Sequence, residues 1–202
     1  QWQIIGKGYM VTVIVTCIGT FIGTSISALL GWTLSRKNLP GRSMMLFIVT
    51  FTMMFHGGLT AQYIIYTQIF DLKNTIFGLI VPNLLMNGYF VMMFRNYFET
   101  SIPGTLVEAA KIDGASEVKT FFKIVLPLSG PIVLTIALPL ALLYWNDWTN
   151  GLYYLSRDSN LQSIQTILNN INENSKFLQN NNLRTANSGV SSAELPSTTI
   201  RM

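Results

Sequence analysis

Residues Tyr9 to Leu34 read YMVTVIVTCIGTFIGTSISALLGWTL, and none of them is Asp, Glu, Lys or Arg. A helix rises about 1.5 Å per residue and needs about 20 apolar residues to cross the hydrocarbon core of a bilayer. This stretch is long enough. Inside lipid a crossing segment must satisfy its own backbone hydrogen bonds, so the expected form is helix. Three more stretches share this character: Ser43 to Phe70, Asn74 to Phe94, and Ile124 to Asn146. The 13 basic and 9 acidic residues all fall outside the four stretches. Charged residues make up 11% of the 202-residue chain, against about 25% in a soluble domain. A soluble protein would have to hide all four runs, whereas globular helices are shorter and carry a charged face. The reading is an all-α membrane protein, a helical bundle with spans at about 9–34, 44–68, 75–94 and 124–146.

The charges also set an orientation. The segment after the first span holds Arg36, Lys37 and Arg42; the segment after the third holds Arg95, Lys111, Lys119 and Lys123. The other flanks hold only Lys7, Lys73 and Arg157 close to the spans. Basic loops stay in the cytoplasm, which places 36–42 and 95–123 inside. Residues 1–146 then form a transmembrane core. Residues 147–202, polar and Asn-rich, are expected as an extracytoplasmic loop. They end in Pro196-Ser197-Thr198-Thr199-Ile200, which can open a further helix. No basic run is dense enough for a nucleic-acid footprint. The one cysteine, Cys17, excludes an internal disulfide and reads as a small packing residue.

The stretch from Ser101 to Pro131 is more specific: SIPGTLVEAAKIDGASEVKTFFKIVLPLSGP. Thr105-x-x-Glu108 fits a capping box opening a short helix, and Ala109 and Ala110 extend it. Asp113-Gly114 ends it, because glycine accepts a left-handed backbone. Ser116 then caps a second helix that runs into the fourth span.

This stretch resembles the signature loop of type I ATP-binding-cassette importer permeases. Glu108-Ala109-Ala110, then Gly114, then Ile124-Val125-Leu126-Pro127 match that pattern with its full spacing. The carbohydrate branch is similar further on, with Ile112-Asp113-Gly114-Ala115, Pro131, Trp145-Asn146-Asp147-Trp148 and Gly57-Gly58-Leu59 leading to Tyr63. Ala61 stands where that branch commonly has proline. The resemblance covers about 10–202 and implies six spans, so the first and last are expected outside this sequence.

The resemblance implies a permease subunit of the bacterial inner (cytoplasmic) membrane. It would carry a sugar or oligosaccharide by alternating access, coupled to separate ATPase subunits. Its implied partners are a second permease, those ATPases and an extracellular substrate-binding protein. It implies no cofactor and no metal, and the chain has no Gly-x-x-x-x-Gly-Lys-Ser/Thr loop of its own for ATP. The loop 101–119 would contain the coupling helix, which docks in an ATPase groove. Ala109 and Ala110 would permit close approach, Glu108 would pair with a basic residue, and Asp113-Gly114 would make the rigid turn. Glu108 as a cap only, and Asp113 as turn chemistry only, are the plainer readings.

Substrate contacts are less legible. Asn83 and Asn87, four apart, would share a helix face near mid-membrane, lining a path or bridging helices. Trp145 and Asn146 sit at the outer boundary, where Trp also serves as an interfacial anchor. His56 reads as a packing residue rather than a proton carrier. Prolines 82, 127, 131 and 139 interrupt the last two spans, as kinks or as openings toward a path. The alternatives are an amino-acid or other small-solute importer of the same type, an ion-coupled transporter, a membrane enzyme and a structural scaffold. The spans hold no carboxylate to bind a coupling ion and no catalytic cluster.

Overall fold

The structure is a computed structural model that describes residues 2–82, 85–156 and 159–188. Among the described residues it contains helices and no strand. Helix α1 (Trp2–Ser35) is the longest, and within it Ile5–Ser35 is long and apolar enough to cross a membrane. It is followed by α2 (Arg42–Met54), α3 (Gly58–Ile64, continued by a wide π turn over Ile65–Ile69) and α4 (Phe77–Ile80). Then come α5 (Gly88–Ser101), α6 (Gly104–Ile112) and α7 (Glu117–Thr120, continued by a π turn over Phe121–Val125). The described residues close with α8 (Leu126–Leu128), α9 (Gly130–Trp145), α10 (Thr149–Tyr154) and α11 (Ile164–Ser188).

Helix α1 is the axis. It packs along α5 and α9, and small residues let the backbones approach. A Cβ on Gly31 would stand 2.5 Å from Phe94 Cβ and 3.0 Å from the Arg95 backbone nitrogen. At the same end Trp32, Phe98 and Phe121 form an aromatic knot, with Trp32 and Phe98 edge to face at 5.8 Å. Phe94, Val125, Ile136 and Leu140 fill the centre of the core. Cys17, expected to pack, is exposed on the outer side of α1.

Three of the four apolar stretches are not straight helices. The stretch expected at 44–68 is two helices at 113°, broken at 55–57. Gly58 has φ +80°, a backbone that ends α-helix continuity and that glycine adopts without strain. His56 lies in this break and is exposed, so it does not pack within the chain. The fourth stretch is two helices at 82°, broken at Ser129. Pro127 clashes with an α-helical turn before it, and the π turn at Phe121–Val125 provides the room. Each bent pair taken as one span gives up to three spans by length and composition.

The stretch 75–94 does not form one helix. Between α4 and α5 the described chain is non-helical around Pro82, and Asn87 caps α5 from outside it. Carbonyls freed by the break find side chains instead: Tyr144 Oη donates to Ile80 O at 3.0 Å, and Asn150 Nδ2 to Pro82 O at 3.2 Å. Such replacement is what a broken helix at low dielectric requires. The segment expected as a polar loop is largely helical instead, in α10 and α11. Ser163 Oγ caps α11 by accepting from Thr166 N, and Ile164, Ile167, Leu168 and Ile171 recur at helical spacing. Asn-rich composition had masked this period. The helix start expected after Pro196 lies outside the described residues.

Candidate functional site

Helix α6 opens at Gly104, two residues earlier than the expected capping box at Thr105 requires. Pro103 is its N-cap, held extended at φ −60°, ψ 127°, and it makes no side-chain cap. Thr105 is therefore inside the first turn. Glu108 is not engaged in capping, is exposed, and has no hydrogen bond or ion pair among the described residues. The helix ends as expected. Asp113 N donates to Ala109 O at 3.0 Å, Ala115 N to Ala110 O at 2.9 Å, and Gly114 has φ +73°. Ser116 Oγ then accepts from Lys119 N at 3.3 Å and opens α7.

The two faces of α6 differ. Val107 and Ala110 are buried against the chain's own core. Ala109 is exposed beside Glu108 and Asp113. The small side chain at 110 thus serves internal packing, and only Ala109 of the pair lies on the open surface. Ile112 is 86% exposed at the tip, next to the turn. Leu106 and Val118 add to an apolar surface that carries free carboxylates.

This element is braced from behind. Glu117 at the start of α7 pairs with Lys111 of α6 and with Arg36 just beyond α1, each at 2.9 Å. The Arg36 guanidinium also lies 4.2 Å over the Trp32 ring. Burial pushes the Glu117 carboxyl up, but the hydrogen bonds from Lys111 and Arg36 and their charges outweigh it and hold it below the ordinary value. The two basic segments assigned to one membrane side by their charges are thus in direct contact. An open cleft of about 810 Å³, walled by Trp32, Arg36, Phe98, Glu99, Val107 and Lys111, separates them elsewhere.

At the other end of α9 a second cleft of about 620 Å³ lies among Tyr89, Phe90, Leu143, Asn146 and Asn150. Asn146 is exposed in it, and Gln165 Nε2 donates to its Oδ1 at 3.5 Å. Tyr89 offers a ring that is 56% exposed. Trp145 is half-buried and is not part of the wall. Asn83 lies outside the described residues. Asn87 sits in the helix break with Oδ1 accepting from Tyr89 N at 2.9 Å, so it is not on a helix face at all. Asp147 accepts from Thr149 N and Asn150 N at 3.0 and 3.1 Å, and so caps α10.

Sequence reasoning singled out Glu108, Asp113 and Gly114, which the structure places exposed on α6 and its turn, and Asn146, which lines the second cleft; it did not single out Tyr89, Ile112 or the Arg36–Glu117–Lys111 cluster. An isoleucine in a polar turn was a usable signal for Ile112. Nothing local joins Arg36 to a residue 81 positions later.

Residues 9–174 match the family model described as binding-protein-dependent transport system inner membrane component. The chain is 40% identical over 169 residues to the polygalacturonan/rhamnogalacturonan transport system permease protein YtcP of Bacillus subtilis, covering 84% of this chain and 58% of that one. It is 34% identical over 158 residues to protein LplC of the same organism, covering 78% and 52%. It is 27% identical to the melibiose/raffinose/stachyose import permease protein MelC, also of Bacillus subtilis, covering 81% and 58%. The chain thus spans little more than half the length of these relatives. Its fold is similar to a crystal structure of a bacterial ABC transporter involved in the import of the acidic polysaccharide alginate. The TM-score is 0.74 at 27% identity, over 81% of this chain and 57% of that one.

Proposed function

We propose, from the premise that this chain belongs to the family of binding-protein-dependent transport system inner membrane components, that it is a permease subunit of an ATP-driven importer of a sugar or oligosaccharide. The observation that carries this reading is the α6–turn–α7 element. Its outer face combines a free carboxylate at Glu108, an open Ala109 and a protruding Ile112, while its inner face is fixed to α1 and α5. A surface with apolar centre and unpaired charge suits a protein partner better than lipid headgroups or solvent. Rigid bracing lets movement of that partner reach the membrane helices as a lever. Separate ATPase subunits would dock on 105–115, and their closure would drive alternating access.

The substrate class follows from what the similar proteins are named for, namely polygalacturonan, rhamnogalacturonan, melibiose and alginate. It suits the second cleft as well. The exposed amide of Asn146 can bond hydroxyls, and the Tyr89 ring can stack on a sugar face. A second permease and an extracellular binding protein would complete the assembly, with the basic segments 36–42 and 95–123 on the cytoplasmic side. The test is co-expression with the neighbouring ATPase and binding-protein chains, purification, and ATP hydrolysis with candidate oligosaccharides. Saccharide-stimulated hydrolysis supports the reading; a stable complex that no saccharide stimulates overturns it.

A further inference from the structure

We infer that the connection between α1 and α2, residues 36–42, is a second arm of the coupling element, with Glu99 and Arg42 as the positioning residues that pass its movement to α2. This rests on the importer reading above. At one end of the connection, Arg36 is tied to Glu117 at 2.9 Å. At the other end Arg42 pairs with Glu99, while its Nε donates to Leu34 O at 2.9 Å and so closes the last turn of α1. Arg95 also pairs with Glu99, at 3.0 Å. Glu99 lies in the last turn of α5, directly ahead of Ile102-Pro103 and α6. One carboxylate thus joins the end of α1, the start of α2 and the root of the coupling helix.

The connection is stiff enough to transmit a push. Leu39 N donates to Arg36 O at 3.4 Å, and Arg42 N to Leu39 O at 3.3 Å, so the segment is folded into turns rather than slack. The two anchors differ in strength. The Arg36 and Glu117 side chains are 24% and 51% exposed, where a single ion pair contributes little. Arg42, Arg95 and Glu99 are 19–21% exposed, and loss of the one carboxylate strands two guanidinium groups together. Arg95 Nε is already buried without a partner, so the cluster has no spare acceptor.

Further along, α2 meets α5 again where a Cβ on Gly88 would stand 2.7 Å from Met53 Cγ. The first interruption of the helix after that is the 113° break at 55–57. A push at Arg42 would move α2 as a body and be absorbed at that break.

The test uses the assembled complex in liposomes and reads substrate taken up per ATP hydrolysed. Glu99→Gln and Arg42→Gln should lower this ratio about tenfold, within the span usual for coupling between sites, and Arg42→Lys should recover part of it. A merely structural role would reduce the amount of active complex and leave the ratio as in the wild type; that result overturns the inference. Spin labels at Lys37 and Lys119, both exposed, cover variants that fail to assemble. Their separation should stay constant between nucleotide-free and ATP-bound complexes, and a change would also overturn the inference. A wild-type complex with no ATP-driven uptake would instead remove the importer reading itself.

Discussion

Glu117 Oε2 and Arg36 Nη2 are 2.9 Å apart although 81 residues separate them in the chain. Their contact turns a helix end and a surface loop into one corner. Both side chains are partly exposed, so the pair itself contributes at most about 1 kcal/mol to stability. Its value is in orientation.

Glu117→Gln should therefore change the thermal midpoint little, while the α6–α7 element loosens. Proteolysis in the 111–117 turn, followed by mass spectrometry, checks this. The carboxyl is held below its ordinary 4.5, so the contribution is fully present above that value and is lost as pH falls through the lower folded value. Accelerated cleavage of the wild type should begin only below pH 4.5. Onset at neutral pH would contradict the ion-pair account.

Gly114 combines φ +73° with open space around its Cβ position. A side chain there is opposed by backbone conformation alone, at about 1–2 kcal/mol, and more for a β-branched one. Gly114→Val should abolish substrate-stimulated ATPase while leaving membrane insertion intact. Glu108→Lys should do the same through charge reversal at the docking face. Fractionation and ATPase assays of the purified complex decide both.

Ile112, at 86%, is the most exposed apolar side chain of the element. Its burial in a partner would be worth about 1.5–3 kcal/mol. Ile112→Asp should weaken binding to the ATPase about tenfold or more, measurable by titration in detergent. Unchanged affinity would remove Ile112 from the interface.

Gly31 and Gly6 make a matched pair on α1. At Gly31 an added methyl meets Phe94 and the α5 backbone, whereas at Gly6 nothing lies within 4 Å. Gly31→Ala should destabilise the fold by about 1–3 kcal/mol despite its better helix propensity. Gly6→Ala should be neutral or stabilising. Thermal melts of the two variants side by side give the answer.

In the second cleft, Asn146→Ala and Tyr89→Ala would each remove one kind of proposed saccharide contact. At about 1 kcal/mol per lost hydrogen bond or stacked ring, KM for uptake should rise roughly fivefold. Unaltered uptake kinetics in both would place the path elsewhere.

What a linear reading could establish depends on local chemistry. The charge-free run from Tyr9 to Leu34, the Glu108-Ala109-Ala110 helix, the Gly114 turn and the Ser116 cap all follow from neighbours within one or two turns, and each stands in the structure. Apolar composition demanded helix but could not tell a straight span from a bent one. The bends at 55–57 and Ser129 and the break around Pro82 depend on whether distant groups accept the freed backbone, as Tyr144 and Asn150 do. Which side of α6 is buried, whether Glu108 is free, and which carboxylate binds Arg36 were likewise decided by packing. Those outcomes depend on where α1, α5 and α9 place residues far apart in sequence, and helical periodicity carries no information about such distances.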